Sequence, residues 1–330
     1  MKRPDLRDPR LILLALATAL LAATFGAPTV QVTRPGYDIL AIVDITGSMN
    51  VRDYVASGKP ISRLERVKAA LRELIVALPC PSRVALGVFT ERRPFLLFEP
   101  IDACADFSPL EATIGAIDWR MAWEGDSRIS AGLFRAVDMA RELKTDLLFF
   151  TDGQEAPPLA ASGGPVFEGK AGETRGLIVG VGGYELSPIP KFDDRGREVG
   201  FVAIDEVPHE SRFGLPPKGA EQREGFNARN APFGATAAVG VEHLSSVKEE
   251  YLRALSEKTG LGYFHLDDKA SLLDAYRTAG TERARDGALD LRPYLGGFSA
   301  ACLFAAFSVS PLLERIARKR RPTRFAWKQQ

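Results

Sequence analysis

The sequence DILAIVDITGSM, residues 38–49, is the strongest indication of architecture in the chain. Asp38–Val43 forms an almost wholly apolar run of strand length, and an acid and two hydroxyl side chains follow it directly. Apolar runs of this kind are typical of strands that are buried on both faces, as in parallel sheets. We therefore predict a central strand whose carboxyl end presents Asp44, Thr46 and Ser48.

Outward from this strand, apolar runs of strand length alternate with amphipathic helical patterns. The alternation predicts an α/β fold, a doubly wound and mostly parallel sheet with helices on both faces. Pro94–Pro100 follows the strand Arg83–Thr90 after a short turn, so it is expected to be the one antiparallel edge strand. Helices are predicted at Ser62–Leu78, Arg128–Leu143, Val247–Lys258 and Ala270–Arg285, the first and third of them opened by the capping boxes Ser62/Glu65 and Ser246/Glu249.

Residues 184–245 interrupt this alternation with prolines, glycines and charged residues. We predict a long ordered insertion with a hairpin around Asp194–Gly196, followed by irregular loop. Loops of this length in compact domains are commonly functional. The hypothesis is that the insertion flanks the carboxyl edge of the sheet and sets specificity.

Two uncharged apolar runs, Leu11–Thr33 and Pro293–Leu313, each border a cluster of basic residues. Both are long enough to cross a hydrocarbon core of about 30 Å, so two transmembrane helices are expected to flank the fold. A cleaved signal peptide is the alternative for the first run, and a buried helix is the alternative for the second.

The basic clusters predict that both termini are cytoplasmic. The expected organisation is an anchor at 1–33, a periplasmic domain at 34–292, and a span with a basic cytoplasmic tail at 293–330. The protein is then a bacterial inner-membrane protein that contacts lipid through two spans. With 43 Lys and Arg against 42 Asp and Glu, the chain lacks the basic excess of a nucleic-acid binder.

Cysteine usage agrees with an oxidising compartment. Cys302 falls in the second apolar run, which leaves Cys80 and Cys104 in the central domain. The antiparallel return of Pro94–Pro100 brings Cys104 back to the level of Cys80, so we predict a disulfide between them. Two unpaired buried thiols are the alternative.

Three separate segments supply oxygen donors: Asp44-Ile45-Thr46-Gly47-Ser48, then Ser127, then Asp152 after Phe150-Thr151. Loops at the carboxyl ends of strands gather at one edge of a doubly wound sheet, so these donors are expected to converge. Carboxylates and hydroxyls suit a hard dication, Mg²⁺ or Ca²⁺. Two carboxylates only neutralise such an ion, which leaves room for an acidic side chain of a partner protein. The alternative is a capped strand-to-helix turn without a metal.

The Asp-x-Thr-x-Ser segment, the Ser that opens a helix and the Thr-Asp-Gly strand end resemble the metal-ion-dependent adhesion site of von Willebrand factor A (VWA) domains. The resemblance covers roughly residues 36–183 and 246–285. It implies that Thr46, Ser48 and Ser127 contact the ion, and that Asp44 and Asp152 act largely through water. Thr46 stands where Ser is usual and Ser127 where Thr is usual, so both positions keep a hydroxyl.

Arg52-Asp53 and the Ser62–Glu65 segment resemble bacterial membrane-anchored VWA proteins, which have the same order of span, domain and span. Arg83–Phe98, Trp123–Ser127 and the Tyr184–Ser245 insertion are most similar to the accessory VWA proteins of methanol-oxidation clusters, the MxaL type. This similarity implies a role in maturing periplasmic pyrroloquinoline-quinone (PQQ) methanol dehydrogenase, such as calcium insertion, with other VWA proteins as possible partners. A component of an aerotolerance-type or stress-related VWA complex is one alternative. An aspartyl-phosphate phosphotransferase or phosphatase that uses Asp44 is another, although no second Asp follows Asp152 to complete its magnesium site. The protein is expected not to be an enzyme.

Overall fold

The computed structural model describes residues 8–122, 126–159, 163–193, 195–207, 219, 222, 240–267 and 271–312. The chain divides into two compact units. One joins residues Met1–Thr33 to Asp286–Gln330, and the other is Arg34–Arg285.

Seven helices and fourteen strands lie in the part of the chain that the structure describes. The helices are α1 (Pro9–Thr24), α2 (Arg63–Ala77), α3 (Phe107–Ala116), α4 (Ile129–Leu143), α5 (Glu249–Thr259), α6 (Leu272–Ala279) and α7 (Arg292–Phe304). The strands are β1 (Thr29–Gly36), β2 (Asp38–Asp44), β3 (Tyr54–Ala56), β4 (Lys59–Ile61), β5 (Arg83–Thr90), β6 (Arg93–Asp102), β7 (Asp146–Thr151), β8 (Gly176–Gly180), β9 (Ser187–Pro188), β10 (Pro190–Phe192), β11 (Glu198–Phe201), β12 (Leu244–Ser245), β13 (Gly262–His265) and β14 (Arg283–Asp290).

The larger unit is built on a six-stranded sheet in the order β13-β8-β7-β2-β5-β6. All neighbours in this sheet are parallel except β6, which runs antiparallel to β5 at the edge. This mostly parallel α/β sheet and its antiparallel edge strand confirm the prediction from the sequence. The carboxyl ends of β2 and β7, neighbours in the sheet, therefore lie side by side.

Strand β2 is buried along its whole length because helices cover both faces of the sheet. Ile39, Ala41 and Val43 join the core on the side of α2, α3 and α6. Leu40 and Ile42 join the core on the side of α4 and α5. Successive side chains on a strand point to opposite faces, so an unbroken apolar run is what a strand between two helical layers requires.

Helix α2 begins as predicted, because the Ser62 Oγ accepts a hydrogen bond from the Glu65 N–H at 3.1 Å. The predicted capping box at Ser246/Glu249 is wrong, since α5 begins at Glu249 with Lys248 as its N-cap. The Lys248 N–H donates instead to the Asp152 carbonyl at 2.8 Å. Because of this bond, the residues up to Lys248 stay outside the helix.

The helix predicted over Ala270–Arg285 is wrong in its second half. Helix α6 ends at Ala279, and Arg283–Asp290 forms strand β14, which pairs with β1. The reason is a two-residue period: Arg283 and Arg285 lie on the same side of β14 and reach the buried carboxylates of Asp146 and Asp38, respectively.

The terminal unit contains the two apolar helices. Helix α1 spans only 16 residues, about 24 Å, and ends at Thr24, short of the predicted Leu11–Thr33 span. Among the described residues, Arg292–Leu312 is the one helix that is long and apolar enough to cross a membrane. The two helices pack together, and the Ser299 Oγ donates to the Ala17 carbonyl at 2.9 Å.

Cys80 and Cys104 form a disulfide with their Cα atoms 6.0 Å apart. The bond joins the segment before β5 to the segment after β6, the level to which the antiparallel return of β6 brings the chain. It therefore closes the base of this pair of strands.

The hairpin predicted around Asp194–Gly196 is present as β10 and β11, which pair antiparallel. Gly196 lies in the connection between them with φ of 75°, in the left-handed region that glycine adopts without strain. Asp194 and most of the second half of the insertion lie outside the described residues, as do Trp123 and the basic tail from residue 313.

Candidate functional site

Asp44 and Asp152 lie at the carboxyl ends of adjacent strands. Val43 of β2 is opposite Phe150 of β7 in the parallel register, so Asp44 ends β2 beside Thr151, and Asp152 follows. Both aspartates are completely buried. In open α/β sheets, ligands bind at the carboxyl ends of the parallel strands. The two carboxylates lie at this edge.

Both carboxylate oxygens of Asp44 accept hydrogen bonds. Oδ1 accepts from the Thr46 N–H at 2.9 Å and from the Thr46 hydroxyl at 2.7 Å. Oδ2 accepts from the Thr151 hydroxyl at 2.7 Å. Three hydrogen bonds therefore hold the carboxylate in one orientation.

Thr46 and Ser48 occupy the tight turn that follows β2. Gly47–Asn50 forms a single 3₁₀ turn with Thr46 as its N-cap, and the Met49 N–H donates to the Thr46 carbonyl at 3.0 Å. Thr46 and Ser48 are both buried. The turn keeps both residues at the edge at which Asp44 ends its strand, and the Thr46 hydroxyl bonds to the Asp44 carboxylate.

Ser127 is fixed by its backbone between two other loops of the same edge. Its N–H donates to the Ala156 carbonyl at 2.7 Å, and the Ala156 N–H donates back to the Ser127 carbonyl at 2.8 Å. A bridge to Glu91 joins it to the residue after β5. Ser127 thus lies between the segments that follow β5 and β7.

The Ser127 hydroxyl does not cap α4 as expected, because Arg128 is the N-cap of that helix and its side chain makes no capping bond. The Ser127 Oγ is buried and has no hydrogen-bond partner among the described residues. A buried hydroxyl without a partner costs free energy of about 1–3 kcal/mol. A cation coordinated by this oxygen would offset that cost.

Arg63 is the member of the site that the sequence analysis missed. Its side chain is fully buried, and its Nη1 donates to the Asp152 Oδ2 at 2.7 Å. Its Nη2 and Nε donate to the Asp53 Oδ2 at 2.7 and 2.9 Å. A signal was available: Arg63 lies one helical turn before Val67 on the apolar stripe of α2, where a charge is unexpected unless it has buried partners.

Burial, and after it the negative charge of Asp152, raise the pKa of Asp44 to about 7. Hydrogen bonds from Thr46 and Thr151 lower it and only partly offset these effects. Two carboxylates close together in a water-poor edge therefore resist ionisation, and a nearby cation would relieve that repulsion.

The donor set fits a small hard dication. It comprises two carboxylates and three hydroxyls, all from rigid elements or short turns, and one of the hydroxyls lacks a partner. In the described part of the chain, no group of three or more His, Cys, Asp or Glu side chains is placed so that it could hold a metal ion.

Residues 39–154 match the family model of the von Willebrand factor type A domain. The chain therefore contains a VWA domain, and this range includes all five predicted ligand residues. No curated protein matches the chain in sequence.

Several solved structures are similar to the chain. An aerotolerance-related membrane protein from Bacteroides fragilis is 15% identical, with a TM-score of 0.45 over 74% of this chain and 98% of that chain. The conserved hypothetical protein BatB from Bacteroides thetaiotaomicron is 16% identical, with a TM-score of 0.46 over 73% of this chain and 95% of that chain. The manganese-loaded TRAP protein of Plasmodium vivax is 11% identical, with a TM-score of 0.32 over 79% of this chain and 82% of that chain. Each is a similarity of fold at low identity.

Proposed function

Because residues 39–154 form a von Willebrand factor type A domain, we propose that the protein holds a divalent cation, Mg²⁺ or Ca²⁺, and uses it to bind a partner protein. The ligands are Asp44, Thr46, Ser48, Ser127 and Asp152. The observation that carries the proposal is the buried Ser127 hydroxyl, which has no hydrogen-bond partner among the described residues and lies at the same edge as two buried carboxylates.

The charges around the site favour an acidic partner. With Asp44 ionised, Asp44, Asp152 and Asp53 contribute three negative charges and Arg63 contributes one positive charge, so the set carries −2. A dication brings this sum to zero. A carboxylate of the partner can then replace a water on the ion without facing a net negative site.

A location at the bacterial inner membrane, with the VWA domain in the periplasm, is part of the proposal. The Arg292–Leu312 helix is long and apolar enough for one span, and the basic residues after 313 favour a cytoplasmic end. The Cys80–Cys104 disulfide favours an oxidising compartment for the domain. A second span at the amino terminus would need residues beyond the 16 of α1.

The specific role that we propose is that of an accessory factor for a periplasmic enzyme, PQQ methanol dehydrogenase, in its maturation or calcium insertion. The support is the similarity of Arg83–Phe98, Trp123–Ser127 and the Tyr184–Ser245 insertion to accessory VWA proteins of methanol-oxidation clusters. Other VWA proteins are candidate partners in the same assembly.

The test is a pull-down from periplasmic extract with the full-length chain in detergent, with and without chelator. Asp44→Ala removes a proposed ligand, and Asp138→Ala, an exposed aspartate on α4, is the matched control. Capture that is lost with chelator and with Asp44→Ala, but kept with Asp138→Ala, supports the proposal. Capture that survives both treatments refutes ion-dependent binding, and labelling of Asp44 by acetyl phosphate would favour the phosphotransferase alternative.

A further inference from the structure

Arg63 bonds to the insertion as well as to the proposed ion site. Besides Asp152, its Nη1 donates to the Ser245 Oγ at 2.6 Å, and its Nη2 donates to the Ser245 carbonyl at 3.2 Å. Ser245 lies in β12, at the carboxyl end of the insertion. One guanidinium therefore joins a proposed ion ligand to the segment where the insertion returns to the domain.

The beginning of the insertion is attached to the same guanidinium through Asp53. The Asp53 Oδ2, which accepts from Arg63, also accepts from the Gly183 N–H at 2.8 Å. The preceding Gly182 has φ of 113°, and a Cβ built there would lie 2.5 Å from the Arg63 Nε. Only glycine lets the chain pass this close to the guanidinium, because both the space and the backbone conformation exclude a side chain.

Further bonds tie the end of the insertion directly to the Asp152 segment. The Ser245 Oγ donates to the Asp152 Oδ2 at 2.9 Å, so hydroxyl and guanidinium share that oxygen. The Gln154 Nε2 donates to the Glu242 carbonyl at 2.7 Å. Ser187 of β9 pairs with Ser245 of β12, so the two ends of the insertion are also joined to each other.

The β10–β11 hairpin of the insertion lies next to the Gly47–Asn50 turn. Arg52 forms a two-pronged ion pair with Glu198 of β11, with its Nη2 2.5 Å from Oε2. The Phe192 ring of β10 stacks on Trp119 with centroids 4.5 Å apart. The hairpin is therefore built against the same edge that presents the proposed ligands.

We infer that Arg63 is a positioning residue that couples the occupancy of the ion site to the two attached ends of the insertion, residues 183–188 and 242–247. This inference rests on the proposed ion site. Arg63 and Ser245 fix the Asp152 Oδ2 and leave Oδ1, which accepts only the Gln154 N–H in the described structure, on the other side of the carboxylate.

The coupling follows from sharing one carboxylate. An ion that orders Asp152 also orders the guanidinium and the hydroxyl bound to its Oδ2, and through them the segments that carry Ser245 and Gly183. By thermodynamic linkage, fixing these segments must raise the affinity for the ion by the same factor. The partner surface contributed by the insertion would then be best ordered when the ion is present.

Ser245→Ala tests this with little risk to folding, because it removes only the hydroxyl that links Arg63, Asp152 and β12. Ser246→Ala is the matched control, since this neighbouring buried serine makes no hydrogen bond to Arg63 or Asp152 among the described atoms. The measurements on full-length chain in detergent are Mg²⁺ titration by calorimetry, and amide hydrogen exchange of residues 183–188 and 242–247 with and without Mg²⁺.

In the wild type and in Ser246→Ala, Mg²⁺ is expected to slow exchange in both segments about tenfold. In Ser245→Ala, the Mg²⁺ affinity falls about three- to tenfold, as expected for the loss of a hydrogen bond to a charged group, and the exchange response shrinks. Arg63→Lys keeps the positive charge but loses the several hydrogen-bond donors of the guanidinium. It should weaken the Mg²⁺ affinity and the exchange response further.

The outcomes separate the two proposals. Absence of Mg²⁺ and Ca²⁺ binding by the wild type removes the proposed ion site and the coupling with it. Binding of Mg²⁺ without any change of exchange in residues 183–188 and 242–247 overturns the coupling alone. An exchange response that is unchanged in both Ser245→Ala and Arg63→Lys also overturns it, because neither the Ser245 hydroxyl nor the Arg63 guanidinium would then carry the coupling.

Discussion

Replacing Asp44 with asparagine removes one negative charge from the edge of the sheet and keeps the size of the side chain. Burial, and after it the charge of Asp152, raise the pKa of Asp44 from 3.8 to about 7. That difference of about 3 pH units corresponds to about 4 kcal/mol. It is the free energy by which ionised Asp44 destabilises the ion-free fold relative to the unfolded chain.

The sign follows from the direction of the shift. The pKa of Asp44 is higher in the folded state than in the unfolded state, so folding favours the protonated carboxyl. The ion-free protein keeps this contribution below pH 4 and loses it as the pH rises from about 4 to about 7. Above pH 7 the full penalty applies, and an asparagine at this position avoids it.

In chelator at pH 8, Asp44→Asn is expected to be more stable than the wild type by roughly 2–4 kcal/mol. The gain is below the full value because the Thr151 hydroxyl, which donates to the Asp44 Oδ2, must instead accept from the new amide. For a domain of this size the melting temperature should rise by about 5–15 °C, and at pH 5 the difference should shrink.

Thermal unfolding of the full-length chain in detergent measures this, with Asp138→Asn as the exposed control. Saturating Mg²⁺ at about 100 times its Kd should stabilise the wild type by about 2.7 kcal/mol and the Asp44→Asn variant far less. The reasoning fails if the variant is no more stable than the wild type in chelator at pH 8. It also fails if Mg²⁺ stabilises both proteins equally.

Three further predictions use other parts of the molecule. Ser127→Ala should leave the ion-free melting temperature unchanged or raised, because its hydroxyl has no partner within the described ranges, yet weaken Mg²⁺ binding about tenfold in calorimetry; unchanged affinity would exclude Ser127 as a ligand. Cys104→Ser should lower the free energy of unfolding by about 3 kcal/mol, whereas Cys302→Ser, a free thiol, should not; equal melting curves would contradict this. Gly182→Ala should lower the melting temperature by several degrees because its Cβ would meet Arg63; a neutral result would show that the guanidinium can shift.

Much of the fold could be predicted because burial leaves a local pattern. The unbroken apolar run of β2 predicted a strand between two helical layers, and Ser62 with Glu65 predicted the start of α2. Strand β14 was missed because its alternation of arginine with small residues reads as polar sequence. Its two arginines form ion pairs with Asp38 and Asp146, which are far away in the chain.

The sequence by itself determined that oxygen donors follow two buried strands, since strand length and polarity are local properties. Only the tertiary structure decided which charges meet: Arg63 reaches Asp152 across 89 positions and Ser245 across 182. Such pairs depend on the order in which strands β2, β7 and β8 lie side by side, which no local period encodes. The same order leaves the Ser127 hydroxyl buried with no hydrogen-bond partner in the described part of the chain, because its backbone is held by Ala156 and the N-cap position of α4 falls one residue later.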